Sequence, residues 1–176
     1  MELLNTLADV GFVAPLLAAG VLMLMARGAA EPALRWAIAF VLAAATTGLL
    51  KTLLRGSAEF PHFPSGHVCV AVAFYGGMIS ILMGGRGGMW RNLPFIVPIA
   101  LLSGWSRVET TSHSWADVIG GFAIGAISLA LLGCWRMSRP VDASSRKWML
   151  MAIVLAVPVG FASYTRLGHS WRMLVE

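Results

Sequence analysis

Two short stretches of this 176-residue chain hold the residue types that acid–base and nucleophilic chemistry needs: "PSGH" at 64–67 and "SRVETTSHSWAD" at 106–117. In the second, His113 and Asp117 are four apart, so on a helix they share one face. A carboxylate that accepts from one imidazole nitrogen fixes the tautomer and leaves the other nitrogen to attack. His67 then stands as the general acid for the leaving oxygen. Pro64 suits a first helical turn, and Gly66 lets backbone approach a ligand closely. A helix N-terminus there favours an anion. Lys51, Arg107 and Arg55 add positive charge, the arginines as forks for two phosphate oxygens and the lysine as a point charge. Nucleophile, orienting carboxylate, proton donor and cationic cradle are the parts of a phosphoryl transfer that needs no metal. His67, His113 and Asp117 are also metal-ligand types. Lys51 and Arg107 oppose a divalent cation, so neither a metal nor another cofactor is expected.

The elements that must position these residues are apolar helices. The chain is 58% hydrophobic and 12% charged, with mean hydropathy +0.78. A soluble domain carries about 25% charged residues, so this chain lacks the material for a polar coat. Six apolar runs approach the length of a membrane span, at about 9–26, 35–54, 67–84, 93–107, 114–135 and 148–165. They predict an all-α fold: a single membrane-embedded domain built as an integral bundle of six transmembrane helices. The run at 93–107 is short because Ser106 and Arg107 interrupt it. Polar groups at membrane depth are costly and point to function. With six spans, the segment ends carrying Lys51, "PSGH", Arg107 and "HSWAD" all fall on one face, where a bundle can bring them together.

Charge sets the orientation. Arg27, Arg35, Arg86, Arg91, Arg136, Arg139, Arg146 and Lys147 fall on the opposite face, which the basic-loop bias assigns to the cytoplasm. The net charge of +5 follows from that bias rather than from a nucleic-acid footprint, because the basic residues are scattered over loops. Trp36, Trp90, Trp135 and Trp148 mark one membrane boundary, and Trp105, Trp115 and Trp171 the other. "MELLNTLADV" has no basic n-region and reads as the start of an anchor rather than a cleaved signal. Cys69 and Cys134 fall at opposite helix ends, too far apart for a disulfide. Gly121 and Gly125 form a small-xxx-small pair suited to helix packing. Phe60 and Phe63 are expected to dip into the interface. His62 and Glu109 read as solvated loop residues, and Arg166 and His169 as residues of the outer tail.

The two stretches resemble the type 2 phosphatidic acid phosphatases, integral-membrane lipid phosphatases. The second signature of that family is Pro64-Ser65-Gly66-His67. The third, Ser-Arg, five residues, His, three residues, Asp, runs from Ser106-Arg107 through His113 to Asp117. Of the first, Lys51 is in place, but the Arg-Pro pair expected seven residues later is Ala58-Glu59. Arg55, one turn after Lys51, is the candidate substitute. The resemblance implies His113 as a nucleophile forming a phosphohistidine, Asp117 orienting it and His67 as general acid. It implies Lys51, Ser65, Gly66 and Arg107 around the phosphate, no metal, and a membrane lipid phosphate as substrate. The bilayer is then a partner, with nucleic acid not expected. The expected location is a bacterial inner membrane with the site facing the exterior or periplasm. Transfer to a second lipid, or lipid binding without catalysis, remains open on the residues alone.

Overall fold

The computed structural model describes the backbone of residues 2–54, 62–84, 88–111, 113–134 and 140–175, and the side chains of 3–54, 62–84, 90–111, 113–134 and 140–164. Among the described residues there are seven helices and no strand. They are α1 (Glu2–Leu7), α2 (Val10–Ala26), α3 (Ala30–Leu54), α4 (Gly66–Leu82), α5 (Gly88–Thr110), α6 (Trp115–Leu131) and α7 (Ala143–Val175). Each of the six apolar segments forms one helix, α2 to α7, and α1 is an addition that hydropathy did not mark. The fourth segment is longer than expected, running five residues earlier and three later than 93–107. Asn92, Ser106 and Arg107 interrupt its hydropathy but not its backbone ladder, and the Thr110 hydroxyl donates to the Ser106 carbonyl at 2.6 Å in the last turn. By length and composition, α3 and the Ala143–Tyr164 stretch of α7 can cross a membrane, whereas α2, α4 and α6 are apolar helices of 17 residues.

Contacts between helix ends define two faces. On one, α2, α4 and α6 begin, each with a polar N-cap: Asp9, Ser65 and Ser114. On the other, they end, and basic side chains bind the last carbonyls of α4 and α6. Arg35 donates to Leu132 and Gly133 at the end of α6, and Arg146 donates to Leu82 at the end of α4. Cations belong at that negative pole of a helix. Gly28 and Gly133 have φ of 76° and 61° and close α2 and α6, where Ala29 and Cys134 donate back to Leu24 and Leu129. That left-handed step is why glycine stands there. Three helices therefore point their positive ends at one face.

Helix α4 is the central element, packed against α3, α5 and α6. It is buried almost all round, through Val68, Cys69, Val70, Ala71, Val72, Ala73 and Phe74, as a helix with neighbours on every side must be. Its fit to α6 depends on the expected small pair. A Cβ on Gly121 would stand 2.4 Å from the Ser65 carbonyl oxygen, and one on Gly125 2.9 Å from that of Cys69. Trp36 corrects the boundary reading: it is fully buried, donates to the Phe74 carbonyl at 3.1 Å and lies against Gly77. Trp90, Trp105, Trp115 and Trp148 are exposed as a belt residue would be. Trp135 lies outside the described residues, and so does the side chain of Trp171. Both thiols are free and buried.

Candidate active site

The α6 end of the site is built by a capping box. Ser114 caps the helix: its Oγ accepts from the Asp117 N–H at 3.3 Å, and Asp117 Oδ2 accepts from the Ser114 N–H at 2.7 Å. This reciprocal pair pins the Asp117 carboxylate at the helix entrance. His113 precedes the cap, so it is not on the helix with Asp117 as the four-residue spacing suggested. The capped turn nevertheless brings His113 Nδ1 to 3.4 Å from Asp117 Oδ2, with both side chains under 10% exposed. Nδ1 facing the carboxylate leaves Nε2 as the nitrogen open to a substrate.

The α4 end is joined to it by the backbone. The Ser65 N–H donates to the Asp117 carbonyl at 2.9 Å, so "PSGH" and "HSWAD" form one unit. Pro64 lies before the N-cap rather than in the first turn, and the Phe63–Pro64 peptide is cis. Ser65 is the N-cap and is fully buried, yet its Oγ makes no capping bond and has no hydrogen-bond partner among the described residues. A buried hydroxyl in that state carries a cost unless an acceptor reaches it. The first residue of α4 is Gly66. A Cβ there would meet only Thr47, at an ordinary 3.7 Å, so helix packing does not require glycine at this position. His67 follows, one quarter exposed.

Cations enter from the C-terminal ends of the other two helices. Lys51 is in the last turn of α3 and Arg107 in the last turn of α5. Their charges act on both imidazoles. Burial first, then Arg107 and Lys51, hold His113 down to about 4 against the opposing pull of Asp117. A neutral imidazole at neutral pH is the form that can attack. Arg55 lies outside the described residues. No group of three or more His, Cys, Asp and Glu side chains is placed to hold a metal ion among the described residues.

Two residues near the site were not singled out in the sequence. Asp9, the N-cap of α2, lies 3.5 Å from His67 Nε2 through Oδ2 while Oδ1 accepts from the Gly11 N–H at 2.7 Å. No local spacing links it to "PSGH", since it stands 58 residues before His67. His62, read as a solvated loop residue, is exposed but stands edge-on to His113 with ring centroids 5.5 Å apart. Phe63 is half-buried, packed where a Cβ on Gly120 would be 2.3 Å from its ring, so it seats the loop on α6 rather than dipping outward. Phe60 lies outside the described residues, as do the side chains of Arg166 and His169, and Glu109 is exposed.

No curated protein and no solved structure shows a significant match to the chain. A family model does match, over residues 32–140, which take in Lys51, both site stretches, all but the first two residues of α3, and helices α4 to α6. With that match covering more than half of its length, the chain belongs to the PAP2 superfamily, the type 2 phosphatidic acid phosphatases.

Proposed function

We propose that the protein is a membrane lipid phosphate phosphohydrolase acting through a phosphohistidine. The observation that carries this reading is the union of the His113–Asp117 pair with the α4 N-terminus through the Ser65–Asp117 backbone bond. Superfamily membership supports a phosphatase. The N-termini of α4 and α6, the Ser65 hydroxyl, Lys51 and Arg107 supply donors and positive potential for a phosphoryl group. Gly66 leaves room for phosphate oxygens against the backbone, and Arg55 is a further candidate donor.

In the first step, His113 Nε2 gives its lone pair to phosphorus as the P–O bond to the lipid breaks. His67 protonates the departing oxygen. In the second, His67, now neutral, takes a proton from water as the water oxygen attacks phosphorus. The P–N bond breaks, phosphate leaves, and both histidines return to their starting states. Asp117 holds the His113 tautomer throughout. No step is routed through a metal.

The membrane reading rests on the exposed apolar helix faces, among them Leu22, Leu42, Leu53, Ile119 and Leu155. Apolar surface on that scale needs lipid or a partner to cover it. Embedding of all six long helices puts the site at the outer face of a bacterial inner membrane, opposite the basic loops. The substrate headgroup then enters from the bilayer.

Phosphate release from phosphatidate, phosphatidylglycerophosphate, undecaprenyl diphosphate and lipid A in detergent tests the reading. At least one is expected to release phosphate in proportion to enzyme. Label from a donor lipid appearing in an acceptor lipid would instead identify a transferase, and no turnover across the panel would leave lipid binding as the function.

The pH dependence follows from His113. Protonation removes the attacking lone pair, so kcat/KM falls as the pH drops through the His113 value in the free enzyme. The acid limb is expected near pH 4, well below the ordinary histidine value of 6.5. Lys51→Met removes one of the charges that lower it, so its acid limb moves to higher pH. A wild-type limb at the ordinary value, unmoved by Lys51→Met, would contradict the arrangement.

A further inference from the structure

Each histidine of the site has its own carboxylate. Asp117 faces His113, and Asp9 faces His67 from a helix that lies outside the family-matched segment 32–140. We propose that Asp9 is a positioning residue for His67, holding the imidazole so that its proton is delivered to the leaving oxygen. This rests on the phosphatase reading, with His67 as the acid.

The geometry gives Asp9 two separate jobs, one for each oxygen. Oδ1 caps α2 by accepting from the Gly11 N–H. Oδ2 is turned the other way, to His67 Nε2 at 3.5 Å. The carboxylate is 8% exposed and the imidazole 25%, so His67 is the more accessible of the two. With Nε2 directed at Asp9, Nδ1 is the nitrogen left to serve the substrate. A buried carboxylate needs strong partners, and an N-terminal dipole end and an imidazole are two such partners. Of the charged groups acting on His67, Lys51 from α3 and Arg107 from α5 are positive, and Asp9 from α2 is the one negative group among the described residues.

The chain before Asp9 is fastened to the same site, which fixes where Asp9 sits. Asn5 of α1 donates to the Thr110 hydroxyl at 3.2 Å and accepts from the Ser106 hydroxyl at 2.9 Å. Ser106 is the neighbour of Arg107. The Tyr75 hydroxyl of α4 donates to the Leu7 carbonyl at 2.9 Å. The α1–α2 corner is thus held by α4 and α5, the helices that carry His67 and Arg107.

A residue that serves the general acid has a signature that a purely structural one lacks: it matters in proportion to how badly the leaving group needs a proton. The test uses two long-chain phosphate monoesters with the same tail, one leaving as an alkyl alcohol and one as a nitrophenol. Asp9→Asn keeps an N-cap of equal quality, because Asn and Asp cap alike, and removes the carboxylate. It is expected to lower kcat/KM for the alkyl ester about 10- to 100-fold, up to the lower end of what general acid catalysis supplies because His67 itself remains, and to leave the nitrophenyl ester almost unchanged. Asp9→Ser, which also caps, gives the same pattern and stands in if the first variant folds poorly. In a His67→Ala background, Asp9→Asn adds no further loss, since it acts through that imidazole. Equal losses for both esters, or additive losses in the double variant, overturn the role of Asp9. Failure of the underlying reading looks different: His67→Ala itself would then show no dependence on leaving group.

Discussion

His113→Ala is expected to abolish phosphate release, by on the order of 10⁴-fold or more, the scale on which loss of a catalytic nucleophile acts. No other described group can take its place in the same geometry. The imidazole is held by the capped turn 113–117, with Nδ1 3.4 Å from Asp117 Oδ2. His62, 5.5 Å away by ring centroid, is exposed and pairs with no carboxylate among the described residues. Brief exposure of the wild-type protein to labelled substrate, followed by alkaline quench, should trap acid-labile label on the protein, and His113→Ala should trap none. Retained turnover in His113→Ala would sink the phosphohistidine mechanism outright. Asp117 separates orientation from folding in the same assay. Asp117→Asn keeps an oxygen for the Ser114 N–H but no longer stabilises the correct tautomer, so activity falls about 10²- to 10⁴-fold with little change in Tm. Asp117→Ala also removes that bond, and destabilises by about 1 kcal/mol in addition.

That the sequence brought this half of the candidate site to notice is a matter of range. Ser114 and Asp117 build a local capping box, and His113 is their neighbour, so a twelve-residue spacing carries the whole geometry. The same holds for Ser65, Gly66 and His67 at one helix entrance. Asp9 and Asn5 could not be found this way. Their partners His67, Ser106 and Thr110 are 58 to 105 residues distant, and nothing local marks an N-cap Asp as facing an active site. Trp36 failed for a related reason. Its place near a segment end fits a belt, but the direction of its indole is decided by Gly77 and Gly20, which leave room for it inside. The boundaries of α5 were hidden because hydropathy reads side chains while the helix is continued by its backbone.

Gly121→Ala is the second large effect expected, and it comes from a residue that touches no substrate. Its added Cβ would lie 2.4 Å from the carbonyl oxygen of Ser65, about 1 Å inside normal contact. That neighbour is backbone at the entrance of α4, so no side-chain rotation relieves it. Either α6 moves off or the "PSGH" turn moves, and in both cases the Ser65 N–H to Asp117 carbonyl link lengthens. Misplacement of about 1 Å at a reacting centre costs on the order of 10²-fold in rate, and overpacking costs about 1–3 kcal/mol. Helix propensity works the other way, since Ala is favoured over Gly by about 1 kcal/mol in a helix interior. Gly48, on α3, separates the two terms: a Cβ there meets nothing within 4 Å, so Gly48→Ala should raise Tm and leave the rate unchanged. Gly125→Ala, at 2.9 Å from the Cys69 carbonyl oxygen and one turn further than Gly121 from the Ser65–Asp117 link, should destabilise with a smaller loss of rate. If Gly121→Ala kept the wild-type rate, the two signature stretches would not depend on close approach of α4 and α6, and the union of His113–Asp117 with the α4 entrance would lose its role in catalysis.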